Sequence, residues 1–269
     1  MRRLLTFACD GATLGATLDA AAGATGLLVC VGGTQTRTGS HRMFERLARA
    51  VSGQGHPVFR FDRRGVGDSS GEDPGWRGSG PDLAAAAAAF RREAPGVGRI
   101  VGLGLCDGAG ALCLHAAAAG LAGLILVNPW LVEAGPGDPP PAALRRHYRN
   151  RLTDPGAWKK LLTGAISYKL LLGSILKSAR RGAPGDLSSS LAGSLRASSL
   201  PAHWLLAEGD ATAIAAAHEL GTAPWGGLAQ HRHALPTDSH TFARPGDMAA
   251  LETAVLAALG ALQSARRLA

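Results

Sequence analysis

Ile100-Val101-Gly102-Leu103-Gly104-Leu105-Cys106-Asp107-Gly108-Ala109-Gly110 decides how the rest of the chain is read. An apolar run ends in Gly-x-Cys-x-Gly and gives way at once to an Ala-rich helical pattern. This is the pattern of a nucleophile elbow, with Cys106 at the position that serine usually holds. A strand-to-helix turn that tight needs glycine at 104 and 108 so that the backbones can pass. It would hold the thiol at the N-terminal end of a helix over 107–120, where the macrodipole favours the nucleophilic thiolate. Free cysteine is also a common buried residue, so the motif draws its weight from the remaining chain.

Outward from this stretch, strands and helices alternate. Asp10-Gly11 between 4–9 and 13–19 predicts a hairpin. Continuous apolar runs at 26–31, 57–61, 99–105, 124–127 and 203–207, with a further strand at 229–235, fit strands buried on both faces. Helical periods cover 41–52, 81–93, 212–220 and 245–262. The expectation is an α/β fold with a mostly parallel central sheet flanked by helices, forming one domain over 1–269.

Residues 131–200 break the rhythm and read as a helical cap insertion. Between Leu131 and Pro201 lie eleven Lys and Arg against four acidic residues, so nearly all of the chain's net charge of +8 sits there. A Gly/Pro loop (135–141) opens the insertion, and a Ser-rich stretch (188–199) reads as a loop-rich return. Basic residues interleaved with leucine suggest either an anionic substrate with an apolar tail or peripheral contact with an anionic membrane. An ordinary solvated face fits the same pattern.

The basic balance also raises nucleic acid as a partner, but no helix-turn-helix, RNA-recognition or zinc pattern accompanies it, which argues against nucleic acid. The four cysteines (9, 30, 106, 113) lie in or beside apolar runs without CxxC spacing, as reduced thiols of a cytoplasmic protein would. No run reaches the roughly 18 apolar residues of a membrane span, and the N-terminal Met1-Arg2-Arg3 lacks a long apolar segment behind it. No metal-ligand spacing occurs, and no cofactor is implied.

A thiol nucleophile needs a base, and the base an orienting acid. Asp210 follows the strand at 203–207, and His240 lies in the loop after the last strand, which puts Cys106, Asp210 and His240 at the carboxyl ends of three strands. Glu208 and Asp238 are alternative acids, and Asp210 could instead cap the helix that follows it. The oxyanion of an acyl transfer would meet the backbone N–H groups of Asp107 and Thr34, the latter in the loop Gly32-Gly33-Thr34. The Asp107 carboxylate would oppose thiolate formation if it turned inward, so it is expected to point away. Gly33, Arg37 and His41 are candidate substrate-binding residues, and Asp62-Arg63-Arg64-Gly65-Val66-Gly67-Asp68-Ser69 is expected to shape a turn near the site.

With these motifs in place, the chain resembles the α/β-hydrolases over nearly its full length. More narrowly it resembles the bacterial exosortase A system-associated hydrolase 1 family. The residues that carry this are Gly32-Gly33 with Arg37–Arg42, Arg60–Ser69, Gly104–Ala109, Asn128-Pro129-Trp130, Arg146-His147-Tyr148 with Arg151-Leu152, Trp158–Leu162 and Asp238–Phe242. The resemblance implies a cytoplasmic accessory hydrolase of systems that sort C-terminally tagged proteins and make exopolysaccharide. The elbow also resembles that of dienelactone hydrolases, which pair Cys with His and Asp. The expected activity is hydrolysis of an ester or thioester, on a small-molecule or carrier-bound acyl substrate, through an acyl-enzyme. Acyl transfer by the same residues, peptidase action, or a non-catalytic scaffold at a membrane surface are the competing readings.

Overall fold

Asp10 and Gly11 both take positive φ (48° and 79°), the conformation a two-residue primed turn requires, and close the hairpin of β1 (Arg2–Cys9) and β2 (Ala12–Asp19). The computed structural model describes residues 1–132 and 186–264. The apolar runs become β3 (Thr25–Cys30), β4 (Val58–Phe61), β5 (Arg99–Leu105), β6 (Gly123–Val127) and β7 (Ala202–Ala207), and β8 (His231–Leu235) follows. Every residue of β3, β4, β6 and β7 is buried, because helices cover both faces of the sheet. At the sheet edge, β8 exposes His231, Arg232 and His233, polar groups that discourage pairing with another chain.

Among the described residues the strands form one eight-stranded sheet in the order β1-β2-β4-β3-β5-β6-β7-β8. From β4 to β8 all pairs are parallel, and β2 is antiparallel to both β1 and β4. The chain steps from β3 outward to β4 and then returns past β3 to β5. That reversal opens a crevice between the carboxyl ends of β3 and β5, the place where open α/β sheets take ligands.

The described helices are α1 (Met43–Gly53), α2 (Gly75–Gly78), α3 (Gly80–Glu93), α4 (Asp107–His115), α5 (Asp186–Ser198), α6 (Ala211–Glu219) and α7 (Asp247–Ser264). On α1, Met43, Phe44, Leu47, Ala48 and Val51 are buried at helical spacing, and α1 packs with α7. In another group, α4 packs with α3 and with α5. Each large apolar side chain so buried contributes about 1.5–3 kcal/mol.

The structure departs from the sequence reading at two places. The helix expected over 107–120 ends at His115, and the chain passes through turns to Gly120, which takes φ 69°. The Ser-rich return is helical: Leu187, Leu191 and Leu195 recur every four residues and are buried in the core. Its Ser188 hydroxyl accepts from Trp225 Nε1 at 2.9 Å and donates to Glu219 Oε2 at 2.9 Å, so serine here serves a buried polar network. The rest of the cap, including the basic residues from Arg145 to Arg181, lies outside the described residues. Among the described residues no helix is long and apolar enough to cross a membrane.

Candidate active site

Cys106 occupies the junction of β5 and α4 at φ 58°, ψ −123°, a conformation that non-glycine residues rarely adopt. Holding it costs on the order of 1–3 kcal/mol, which the surrounding packing must supply. Glycine makes the turn possible. A Cβ on Gly104 would lie 2.6 Å from Ala109 N, and one on Gly108 would lie 2.5 Å from Cys30 O. The backbone of Cys106 is held on both sides, its N–H donating to Val127 O and its C=O accepting from Trp130 N, each at 3.0 Å.

Cys106 is partly exposed, whereas Cys9, Cys30 and Cys113 are buried. Burial pushes all three of those thiols up to about 12, and at Cys9 a hydrogen bond to Asp82 adds to the effect. They are inert neighbours of one accessible thiol.

Asp210 follows β7, and His240 lies in the loop between β8 and α7. His240 Nδ1 is 3.0 Å from Asp210 Oδ2, and the Cys106 side chain lies close enough to the ring to influence its proton affinity. Burial opposes the charged form of the ring. The contacts with Asp210 and Cys106, with their charges, outweigh it and raise the His240 pKa to about 10. Asp210 Oδ2 also accepts from Ala213 N at 2.9 Å, so the residue caps α6 and meets the histidine with one oxygen. The alternative acids are elsewhere. Asp238 pairs with Arg244 at 3.0 and 3.1 Å, and Glu208 is exposed.

The loop after β3 faces this group. As the first residue of α4, Asp107 has no intrahelical acceptor for its N–H. The Thr34 N–H donates to no group among the described residues. The Asp107 carboxylate does not simply point away: its Oδ1 accepts from the Gly33 N–H at 2.6 Å, so it spends its charge on the facing loop. The Gly33 carbonyl in turn accepts from Arg63 Nη2 at 2.7 Å. Gly33 is thereby gripped on both sides, its N–H by a carboxylate and its carbonyl by a guanidinium.

Arg37 is committed to the protein. Its guanidinium pairs with Asp62 and with Asp68 (2.7 Å) and donates to Thr17 (3.1 Å), so it braces the loop rather than standing open to a ligand. His41 reaches the other wall, with Nε2 2.7 Å from the carbonyl of Thr241, the residue after His240. The segment 62–69 shapes the turn through Asp62, which accepts from the N–H groups of Arg37 (2.5 Å) and Asp68 (3.1 Å). Arg64 pairs with Asp82 at 2.5 Å. Arg63 and Asn128 also belong to the site; both stand in motifs visible in the sequence, 62–69 and 128–130, but the sequence reading does not single them out as site residues. Among the described residues no group of three or more His, Cys, Asp or Glu side chains could hold a metal ion.

The model of the alpha/beta hydrolase family matches residues 27–260. No curated protein matches the chain. Among solved structures, an esterase of Pyrococcus furiosus superposes with a TM-score of 0.63 at 13% identity, covering 96% of this chain and 92% of its own. A Xanthomonas campestris protein described as an a/b serine hydrolase without lid gives 0.55 at 19% identity, with 99% and 94% covered. An alpha-beta serine hydrolase homologue from Coxiella burnetii gives 0.60 at 15% identity, with 96% and 97% covered. At these identities the likeness concerns the fold.

Proposed function

Because the chain belongs to the alpha/beta hydrolase family, we propose that it is an acyl hydrolase in which Cys106 is the nucleophile, His240 the acid–base and Asp210 the group that orients the histidine. The observation that carries this reading is the position of His240, whose Nδ1 lies 3.0 Å from Asp210 Oδ2 while the Cys106 thiol is close enough to help hold the proton on the ring. A histidine with a pKa raised to about 10 rests as imidazolium at neutral pH. That state suits a thiolate partner and is ready to protonate a leaving group.

In the first half-reaction the Cys106 thiolate attacks the ester or thioester carbonyl carbon. The oxyanion is held by the N–H groups of Asp107 and Thr34. Collapse of the tetrahedral intermediate breaks the bond to the leaving alkoxide or thiolate, which takes its proton from His240. The neutral imidazole then removes a proton from water, whose oxygen attacks the acyl carbon. Cys106 leaves as thiolate, and His240 is again imidazolium. Asp210 stays ionised throughout and stabilises the imidazolium.

The motif resemblance to the exosortase A system-associated hydrolase 1 family supports a cytoplasmic accessory role in bacterial protein sorting and exopolysaccharide production. The basic residues of 145–181 supply the charge for peripheral contact with an anionic membrane or carrier. The test is steady-state hydrolysis of p-nitrophenyl esters and acyl thioesters of graded chain length by the wild type and by Cys106→Ala, His240→Ala and Asp210→Asn. All three substitutions should abolish or sharply reduce kcat with the fold intact. Undiminished turnover by Cys106→Ala would refute the assignment of the nucleophile.

A further inference from the structure

Asn128, the residue after β6, is fully buried and takes φ 40°. Asparagine is among the few residues that tolerate this left-handed region, which alone would explain its choice over a bulkier side chain. Its side chain, however, spends both polar atoms on the ends of two other elements. Oδ1 accepts from the Ala207 N–H at 2.8 Å, and Nδ2 donates to the carbonyl of His240 itself at 3.0 Å. Ala207 is the last residue of β7, and its own carbonyl accepts from the Asp210 N–H at 3.2 Å. The main chain of Asn128 donates to Leu205 O at 3.0 Å.

Its neighbours complete the pattern. Val127 O accepts the Cys106 N–H, and Trp130 N–H donates to Cys106 O. A run of four residues, 127–130, thus fixes the backbone of the nucleophile, the strand end that carries the acid, and the backbone of the base. The loops bearing Asp210 and His240 also meet directly, with Gly209 N–H donating to Thr237 O at 2.8 Å, and the Asn128 side chain adds a second link through the end of β7 and the His240 carbonyl. A buried amide with both ends satisfied also holds its geometry firmly, because losing either bond leaves a buried polar group unpaired.

We propose that Asn128 is a positioning residue that sets the His240 ring against Asp210 and Cys106, acting through the His240 carbonyl and the end of β7 rather than touching substrate. The inference rests on the catalytic reading of Cys106, Asp210 and His240 given above. Misplacing a catalytic group by about 1 Å costs on the order of 100-fold in rate. The loss belongs in kcat, because Asn128 makes no contact that substrate binding would use.

Two substitutions test this. Asn128→Gly keeps the left-handed backbone and removes both side-chain bonds. Asn128→Asp keeps the acceptor for Ala207 N–H and turns the other oxygen against the His240 carbonyl. In each, kcat on a soluble p-nitrophenyl ester should fall about 100-fold with KM within about twofold. Without any substrate, the His240 ring proton should be followed against pH by NMR in Asn128→Gly, which adds no charge of its own. Its titration should move down toward the ordinary histidine range as the contacts to Asp210 and Cys106 loosen. A purely structural Asn128 would lower the melting temperature and leave that titration where the wild type has it, and this outcome would overturn the proposal. So would a rise in KM at unchanged kcat. If the wild type turns over no ester, the catalytic reading fails, while the NMR titration still decides whether Asn128 positions the ring.

Discussion

The carboxylate of Asp107, next in sequence to Cys106, accepts the Gly33 N–H across the crevice at 2.6 Å. The contact joins the two loops that bracket the site, since Gly33 precedes Thr34 and Asp107 follows Cys106. It also directs the Asp107 charge away from Cys106: the negative charge meets a backbone donor of the opposite loop. A charge-assisted hydrogen bond of this kind contributes about 1.5–3 kcal/mol when shielded from water, and less here because Gly33 is exposed.

Asp107→Ala should therefore loosen the oxyanion loop and lower kcat about tenfold, less than the loss of an oxyanion donor itself. Asp107→Asn keeps an acceptor for Gly33 and should stay within about threefold of the wild type. Ester kinetics on the two variants, side by side, would check this. Equal losses would mean that the charge, and not the brace, is what matters.

Thiol chemistry should be confined to one cysteine. Cys9, Cys30 and Cys113 are buried with thiols pushed up to about 12, while Cys106 is partly exposed beside His240. Iodoacetamide at neutral pH should label Cys106 in the native protein and the others only after unfolding. His240→Ala should slow that labelling, read by peptide mass.

The His240 pair makes stability depend on alkaline pH. The folded pKa is raised to about 10 from the ordinary 6.5, so the contribution is complete below 6.5 and is lost as pH rises through about 10. Chemical denaturation of the wild type should show falling stability across that interval. Asp210→Asn should flatten the fall, since it removes the hydrogen bond and charge that hold the proton on the ring.

On the acid side the sign reverses. His203 is buried, with His233 Nε2 3.1 Å from its Nδ1 and the His231 ring stacked at 4.7 Å. Burial first, then the charges of His231 and His233, lower its pKa to about 4. The unfolded chain binds the proton more readily, so stability falls as pH drops from about 6.5 through about 4. His203→Gln should remove part of that loss, measured as the difference in urea midpoint between neutral and acid pH.

Much of the fold was legible because it rests on local signals. Apolar runs of strand length, Asp10-Gly11 and the glycines at 104 and 108 each have a short-range physical meaning. The convergence of Asp210 and His240 followed from their places after strands. What could not be read is what side chains choose across long separations. Arg37 looks free in sequence, yet Asp62, 25 residues on, claims it. The Asp107 carboxylate finds its donor 74 residues away, and Asn128 its partners 79 and 112 away. The Ser-rich return was different, because the spacing of Leu187, Leu191 and Leu195 was visible and serine composition outweighed it. Ser188 has a buried use there, and Ser188→Ala should cost about 1–3 kcal/mol by leaving Trp225 Nε1 without its acceptor.

If Cys106 carries the acyl group, the intact mass of the protein after brief incubation with a short p-nitrophenyl ester reads it directly. The wild type should gain the mass of one acyl group, placed on Cys106 by peptide mapping, and Cys106→Ala should gain none. Turnover by the wild type with no adduct on Cys106, together with equal turnover by Cys106→Ala, would mean that another group is the nucleophile.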